Sequence, residues 1–280
     1  MALHPFVTTA VKAARNAGNA IMRGYTRPDL IRVQKKGHKD FVTDIDRLSE
    51  ETIIHTLQTA YPNHCFLSEE AGKLGLSSDY QWIIDPLDGT VNFIHGFPHF
   101  CVSIALSYRG RIEHAVIYDP VRDDLFTASR GEGAQRSNRR IRASGRHLME
   151  DCLIGTGTPS PAEPEWHESY YQSYHAISKE CLAIRRSGSS ALDLVYVAAG
   201  ILDGYWKLGL KIWDLAAASL IIREAGGLIS DFQGSEDYFK QGHVVAANPK
   251  FFKPFLKKIQ PFFHSAKGSA YHEQHTGHDT

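Results

Sequence analysis

This chain of 280 residues has few cysteines, a formal net charge of zero and no long apolar run. Its four cysteines, Cys65, Cys101, Cys152 and Cys181, form no close C-x-x-C pair, so a disulfide framework is not predicted. We expect buried free thiols in a reducing compartment instead. Lys and Arg (31) balance Asp and Glu (31), which excludes an overall field that would draw the chain to nucleic acid or to an anionic membrane.

Signals for membrane insertion and export are also missing. No apolar run approaches the ~20 residues that a membrane-spanning helix needs. Residues 1–25 form an amphipathic pattern, and Lys12, Arg15 and Arg23 interrupt the apolar core of any signal peptide. The sequence therefore predicts a cytoplasmic protein that does not act at a membrane.

No linker, repeat or heptad pattern divides residues 1–264, so we expect a single domain there. The polar segment 265–280 contains His272, His275 and His278 and is predicted to be a disordered tail.

The first half, up to about residue 150, is predicted to be an antiparallel meander with two helices on one face. Apolar residues recur at helical spacing from Phe6 to Ile21, and Thr43 or Asp44 can cap a second helix that ends at Tyr61. Turn signals then separate short apolar runs. These runs are 65–67, 82–84, 100–106, 114–118 and 125–128.

The second half alternates strand and helix patterns, which predicts a sheet covered by helices. The expected strands are 152–155, 182–184, 205–208, 228–232 and 244–246. The expected helices are 165–177, 189–199, 213–225 and 249–259.

Acidic residues cluster at three element boundaries. Glu69 and Glu70 follow one apolar strand, the segment D-P-L-D-G-T from Asp85 to Thr90 follows another, and Asp214 opens a helix. Carboxylates at strand ends lie at the rim of a sheet, where open α/β layers hold ligands. Hard divalent cations such as Mg2+ take oxygen ligands of this kind.

The D-P-L-D-G-T segment combines the features of a metal loop and of a phosphate cradle. Pro86 lacks a backbone donor and is expected to end the strand. Gly89 permits a tight turn, so that the carboxylates of Asp85 and Asp88 can converge. A helix that begins after Gly89 would direct free N–H groups at an anion. Taken alone, D-x-x-D-G also fits a plain turn.

Competing motifs fit less well. A calcium loop needs Gly at position 6 and Glu at position 12, but counting from Asp85 the glycine is fifth and position 12 is Gly96. An aspartyl-phosphate motif D-x-D-x-T has its second Asp where Leu87 stands. The chain has no P-loop, and Gly131-Glu-Gly133 lacks the third glycine of a dinucleotide fingerprint.

The whole pattern resembles the inositol monophosphatase family over nearly the entire chain. The run W-I-I-D-P-L-D-G-T-V-N-F from Trp82 to Phe93 is similar to the family's first signature. The run I-W-D-L-A-A from Ile212, followed by E-A-G-G from Glu224, is similar to its second, more than a hundred residues later. The resemblance implies a fold of the mixed α+β or α/β class. Its architecture is expected to be a single-domain, five-layered αβαβα sandwich of the sugar-phosphatase type. It also implies Mg2+-dependent hydrolysis of a phosphate monoester, with inositol 1-phosphate as the expected substrate.

The resemblance assigns metal ligands as well. It implies that Glu69 and Asp85, with the backbone carbonyl of Leu87, bind one Mg2+. Asp85 is then shared with a second ion, which Asp88 and Asp214 hold. A third, weaker ion near Glu69 is usual in the family, so two or three ions are expected.

Catalytic and substrate-binding roles follow from the same resemblance. Thr90, hydrogen-bonded to Asp46, is expected to orient a metal-activated water, and Glu69 completes the expected catalytic set. The expected substrate-binding residues are Asp88, Gly89, Thr90, Ser190, Lys207 and Asp214.

The sequence departs from the family pattern at the substrate side. Lys207 stands where inositol-cleaving members commonly have Glu, and a protonated lysine cannot accept a hydrogen bond from a substrate hydroxyl. It would favour a second anionic group instead, which puts the inositol specificity in doubt. The alternative substrates are fructose 1,6-bisphosphate, 3′-phosphoadenosine 5′-phosphate and histidinol phosphate. Val91 replaces a common Thr, and Lys36 matches a mobile loop lysine of the family.

A locally basic cluster suggests a second class of function. Arg136, Arg139, Arg140, Arg142 and Arg146 fit either a solvated hairpin or a surface for RNA or a protein partner. Bacterial members of the family also act with the transcription machinery, so a non-enzymatic role with RNA polymerase and RNA is the alternative hypothesis. The resemblance further implies a homodimer and inhibition by Li+.

Overall fold

The computed structural model of the chain describes residues 3–27, 29, 31–37, 40–159 and 163–263. The predicted tail at 265–280 and the side chain of Lys36 lie outside the described part.

Helices in the described part occupy both halves of the chain. They are α1 (Pro5–Tyr25), α2 (Asp44–Ala60), α3 (Thr90–Ile94), α4 (His167–Ser178), α5 (Ser190–Ala198), α6 (Ile212–Glu224), α7 (Tyr238–Gln241) and α8 (Pro249–Ile259). None of these helices is long and apolar enough to cross a membrane.

The strands of the first half form a hairpin and one large sheet. They are β1 (Val33–Gly37), β2 (Asp40–Thr43), β3 (Cys65–Ser68), β4 (Gly72–Leu74), β5 (Tyr80–Asp88), β6 (Cys101–Tyr108), β7 (Arg111–Asp119), β8 (Asp124–Ser129), β9 (Gly133–Arg136) and β10 (Arg139–Arg140). The sheet has eight strands in the order β10-β9-β8-β7-β6-β5-β3-β4.

The predicted antiparallel meander is confirmed from β5 to β10 and is wrong at one position. β3 and β5 are parallel, with Cys65 opposite Gln81. The reason is the short edge strand β4, which pairs antiparallel with β3 before the chain returns to the other side of β3. The polar sequence of β4 gave no strand pattern.

The second half builds a smaller, mixed sheet. Its strands are β11 (Leu153–Thr156), β12 (Ala183–Arg185), β13 (Gly204–Lys207), β14 (Leu228–Ser230) and β15 (Val244–Ala247), in the order β12-β11-β13-β15-β14. β12, β11 and β13 run parallel, whereas β15 is antiparallel to β13 and β14. The carboxyl ends of the three parallel strands therefore meet at one edge.

Three apolar cores show that the elements stack in five layers, as predicted. The first core joins α1 and α2 to one face of the large sheet and includes Ala14, Leu57 and Ile84. The second joins the opposite face of that sheet to α5 and α6 and then to the small sheet. The third joins the far face of the small sheet to α4 and α8, with Trp206 against Phe255. The chain is thus a single-domain αβαβα sandwich.

Helix α1 follows its predicted apolar face, with Val7, Ala10 and Ile21 fully or almost fully buried. In α2, the apolar residue Leu48 is on the exposed face, with an exposed fraction of 44%. The buried face also carries polar residues that serve the site described below. The free thiols of Cys65, Cys101 and Cys152 are buried as expected, and Cys181 is half-buried.

Candidate metal and phosphate site

Three carboxylates from two distant parts of the chain, the end of β5 and the start of α6, come together. Oxygen atoms of Asp85, Asp88 and Asp214 all lie within 4.8 Å of one another. Asp85 is fully buried, and burial raises its pKa well above the ordinary value; the negative charges of Glu69, Asp88 and Asp214 raise it further. Glu69 therefore lies close enough to act on the same cluster. The structure thus brings Asp85, Asp88 and Asp214 together.

The loop at the end of β5 brings Asp85 and Asp88 together, although not in the predicted way. Pro86 does not end the strand, because β5 continues to Asp88 across an irregularity in its pairing with β6. Asp85 lies opposite Ser103 and Asp88 opposite Cys101, so β5 carries one extra residue there. The missing N–H of Pro86 is tolerated at this bulge.

Gly89 is required at the turn that follows. Its φ of 97° lies in the left-handed region, and a Cβ there would come within 3.1 Å of the carbonyl oxygen of His99. Helix α3 begins at the next residue, as predicted. The chain can therefore turn sharply between Asp88 and Thr90, because no side chain is present at Gly89.

Asp46 and Thr90 form the predicted hydrogen bond. The Thr90 hydroxyl lies 2.8 Å from Asp46 Oδ1 and donates to it, with the carbonyl of Leu87 at 3.1 Å as a second acceptor. Asp46 is fixed by the capping box of α2, since its Oδ2 accepts from the Thr43 amide at 2.8 Å and from the Thr43 hydroxyl at 2.5 Å. Burial raises the pKa of Asp46, and these hydrogen bonds lower it.

Two supporting residues on α2 escaped the sequence analysis. The carboxylate of Glu50 accepts from the Ser68 hydroxyl and from the amides of Glu70 and Ala71, so it holds the loop that carries Glu69. The Ser49 hydroxyl donates to the Pro86 carbonyl at 2.7 Å. Both residues are almost fully buried. Their signal was available, because positions 46, 49 and 50 continue the helical spacing of the buried positions 53 and 57.

Asp88 also links the two halves of the chain. Its Oδ2 accepts from the Ser189 hydroxyl at 2.5 Å and from the Ala191 amide at 2.8 Å. A carboxylate at the N-terminus of α5 is favourable because the helix end presents unpaired N–H groups. Ser189 is a further residue that the sequence analysis missed. Its partner lies about a hundred residues away, and no local pattern records that contact.

Lys207 and Ser190 lie beside this acidic cluster. The Lys207 ammonium donates to the Ser190 hydroxyl at 2.7 Å. Burial and the charge of Asp88 raise the pKa of Asp214 to about 6, while the ammonium groups of Lys207 and Lys211 lower it. The site therefore has an acidic side and a basic side.

The five arginines of the basic cluster differ in their surroundings: two form ion pairs, and three are exposed. Arg136 pairs with Asp124 at 2.6 Å and stacks on Phe126, and Arg146 pairs with Asp203 at 3.2 Å. The other three arginines, Arg139, Arg140 and Arg142, are exposed. A basic surface is thus present on and after β10, smaller than the sequence suggested.

The residues of the acidic cluster fit a hard divalent cation. Within the described ranges, Asp85 Oδ2 is buried and has no hydrogen-bond partner, an arrangement that is costly unless a cation lies beside it. Its neighbours Asp88 and Asp214 supply only oxygen donors. An all-oxygen set matches Mg2+ better than zinc, which takes nitrogen and sulfur ligands.

Comparison with known proteins agrees with this chemistry. The model of the inositol monophosphatase family matches residues 2–263. The Nus factor SuhB of Pseudomonas aeruginosa is 49% identical over 263 residues, which are 92% of this chain and 97% of that protein. The Nus factor SuhB of Escherichia coli is 46% identical over 259 residues, again 92% and 97%.

Solved structures show the same similarity. The extragenic suppressor protein suhB of Bartonella henselae superposes with a TM-score of 0.88 at 42% identity, covering 90% of this chain and 97% of that one. The inositol monophosphatase of Anabaena (Nostoc) superposes with a TM-score of 0.82 at 33% identity, covering 91% and 95%. From its sequence, its fold and its acidic cluster, the chain belongs to the inositol monophosphatase family.

Proposed function

We propose that the protein is a Mg2+-dependent phosphatase that hydrolyses a phosphate monoester, with inositol 1-phosphate as the first substrate to test. The observation that carries the proposal is the convergence of Asp85, Asp88 and Asp214 around an unpaired, buried carboxylate oxygen. The family resemblance adds a homodimer, a cytoplasmic location and inhibition by Li+. It also adds a catalytic unit that spans residues 1–264.

Two or three Mg2+ ions would be held by Glu69, Asp85, the Leu87 carbonyl, Asp88 and Asp214. When bound, Mg2+ polarises the phosphate ester and makes a neighbouring water more acidic. The other requirements of phosphoryl transfer are position and charge, which this chain's own residues supply.

Thr90 would orient the attacking water. Its hydroxyl proton is directed to Asp46 Oδ1 at 2.8 Å, so the lone pairs of the Thr90 oxygen can accept a hydrogen bond from the water. Asp46 cannot swing away, because the capping box of α2 holds its other oxygen. The backbone at Gly89 and Thr90 would bind phosphate oxygens, as expected of free N–H groups at the start of a helix.

Substrate specificity would be decided on the basic side. Lys207 and Ser190 form one hydrogen-bonded pair next to Asp214. The same chemistry on fructose 1,6-bisphosphate, 3′-phosphoadenosine 5′-phosphate or histidinol phosphate is the alternative. Lys207 favours the first two of these, which carry a second phosphate group.

The direct experiment measures phosphate release from purified protein with Mg2+ across these four esters and p-nitrophenyl phosphate. We expect turnover that needs Mg2+ and that Asp88→Asn abolishes. Asp237→Asn is the matched control, because Asp237 lies on the surface and pairs with Lys240. Absence of phosphate release from every ester would refute the proposal.

A role in transcription is the second candidate. The relatives at 49% and 46% identity are named Nus factors, and Arg139, Arg140 and Arg142 are exposed near one another in sequence. If these arginines bind RNA or RNA polymerase, their replacement by Gln should weaken capture of that partner while hydrolysis continues. Capture that survives the triple replacement would exclude this surface.

A further inference from the structure

Three parallel strands of the small sheet end next to the acidic cluster, and two of these ends carry cations. Arg186 follows β12, Gly157 and Thr158 follow β11, and Lys207 is the last residue of β13. Because the three strands are parallel, these residues share one edge of the sheet. Ligands of open α/β sheets bind outside this edge.

Both cations are held against the same short loop. Arg186 Nη2 donates to Thr158 Oγ1 at 2.7 Å. The Lys207 side chain lies along Gly157, where a Cβ would come within 2.5 Å of Lys207 Cδ and Cε. A larger residue at position 157 would displace the ammonium, so the glycine makes room for Lys207 where it is.

Among the residues that the structure describes, neither Lys207 nor Arg186 forms an ion pair with a carboxylate. The Lys207 ammonium lowers the pKa of Asp214, so these two groups lie close enough to interact. If Asp214 holds a divalent ion, that ion would neutralise part of its charge, which would leave the Lys207 ammonium available to an anionic group of the substrate.

We propose that Lys207 and Arg186 form a subsite for a second phosphate group, so that the preferred substrate is a bisphosphate. The inference rests on the proposed phosphatase function. Water adds to one phosphorus and its ester P–O bond breaks; the leaving oxygen gains a proton, and the products are inorganic phosphate and an alcohol that keeps the second phosphate. Lysine and arginine are both suited to phosphate oxygens. A substrate with an ammonium group, such as histidinol phosphate, is disfavoured.

The test compares substrates that differ only in the second phosphate. One pair is fructose 1,6-bisphosphate and fructose 1-phosphate, and the other is adenosine 3′,5′-bisphosphate and adenosine 3′-phosphate. In at least one pair we expect kcat/KM to favour the bisphosphate by about tenfold or more, since a hydrogen bond to a charged group contributes about 1.5–3 kcal/mol.

Variants then assign the preference to the two cations. Lys207→Gln should lower the bisphosphate-to-monophosphate ratio about tenfold, mainly through KM, and Lys207→Arg should keep most of it. Arg186→Gln should lower the ratio by a smaller factor, about threefold, because Arg186 is exposed and charges in water are screened. Lys250→Gln, which removes an exposed charge from α8, should leave the ratio unchanged.

A ratio near one in the wild type for both pairs would overturn the subsite, as would a ratio that Lys207→Gln leaves unchanged. Failure of hydrolysis itself has a different signature, namely no phosphate release from any ester, p-nitrophenyl phosphate included. In that case calorimetric titration with fructose 1,6-bisphosphate and with fructose 1-phosphate decides, and equal affinities would overturn the subsite.

Discussion

The acidic side and the basic side of the site are held in different ways. The acidic side consists of carboxylates from the large sheet and α2, which the bulge in β5 and the capping box of α2 hold in place, together with Asp214 at the start of α6. The small sheet contributes Lys207 and Arg186 at the ends of parallel strands, held through single hydrogen bonds to Ser190 and Thr158. The carboxylates of Asp46 and Asp88 accept several hydrogen bonds each, whereas the basic side consists of long side chains with many rotatable bonds. This difference suggests that the first side carries the chemistry and the second side selects the substrate.

The largest effect is expected when one negative charge is removed from the acidic side. Asp85→Asn keeps the hydrogen bond from the Leu87 amide to Oδ1 at 3.0 Å but replaces the unpaired oxygen by an amide nitrogen. We expect phosphate release to fall at least about a thousandfold, because one transition-state contact is worth about 10²–10³ and the ion itself is lost as well. Steady-state phosphate release and calorimetric titration with Mg2+ measure the effect. A variant that still binds Mg2+ as the wild type does would contradict the assignment.

Thr90 tests how the acidic side orients water. Thr90→Val removes the hydroxyl that donates to Asp46 and keeps the shape of the side chain. Phosphate release should fall about a hundredfold, mainly in kcat, because the loss of one polar group that is positioned for the transition state typically costs about this much. Thr90→Ser should restore most of the activity. If Val and Ser behave alike, the hydroxyl has no part in positioning.

The acidic side should also limit the stability of the metal-free protein. Mutual repulsion around Asp85 and its unpaired oxygen oppose folding when no cation is present. In EDTA, Asp85→Asn should therefore raise the free energy of unfolding by about 1–3 kcal/mol, because the amide carries no charge and its N–H groups can donate to the neighbouring carboxylates of Asp88 and Asp214. Thermal unfolding with and without Mg2+ measures this. Mg2+ should stabilise the wild type and not the variant, and a lower melting temperature for the metal-free variant would contradict the prediction.

The smallest expected effect lies on the basic side and changes no charge. Gly157→Ala places a methyl group 2.5 Å from Lys207 Cδ and Cε, so the flexible side chain must move. The preference for a bisphosphate should fall about threefold, less than the roughly tenfold expected for Lys207→Gln. Gly145→Ala is the control, since a Cβ there meets no atom within 4 Å. An unchanged ratio in Gly157→Ala would show that the position of Lys207 is not critical.

Sequence reasoning succeeded where the signal is local. The periodicity of α1, the cap of α2 at Thr43 and the helix that follows Gly89 all depend on neighbouring residues, and each was predicted. It failed where pairing between strands decides. Pro86 remains inside β5 because a bulge against β6 absorbs it, and β3 pairs in parallel with β5 because β4 occupies the edge. Such pairings bring together residues that no short window contains.

By itself, the sequence determined that the chain has two acidic signatures at element boundaries, a lysine at position 207 and the element order of a layered α/β protein. Only the tertiary structure decided that Asp85, Asp88 and Asp214 share one small volume, that Asp88 caps a helix of the other half, and that Arg186 lies beside the loop that holds Lys207. The physical reason is that charge and hydrogen bonding act over a few ångströms in space. The packing of the two sheets sets those distances, and it depends on contacts spread over the whole chain.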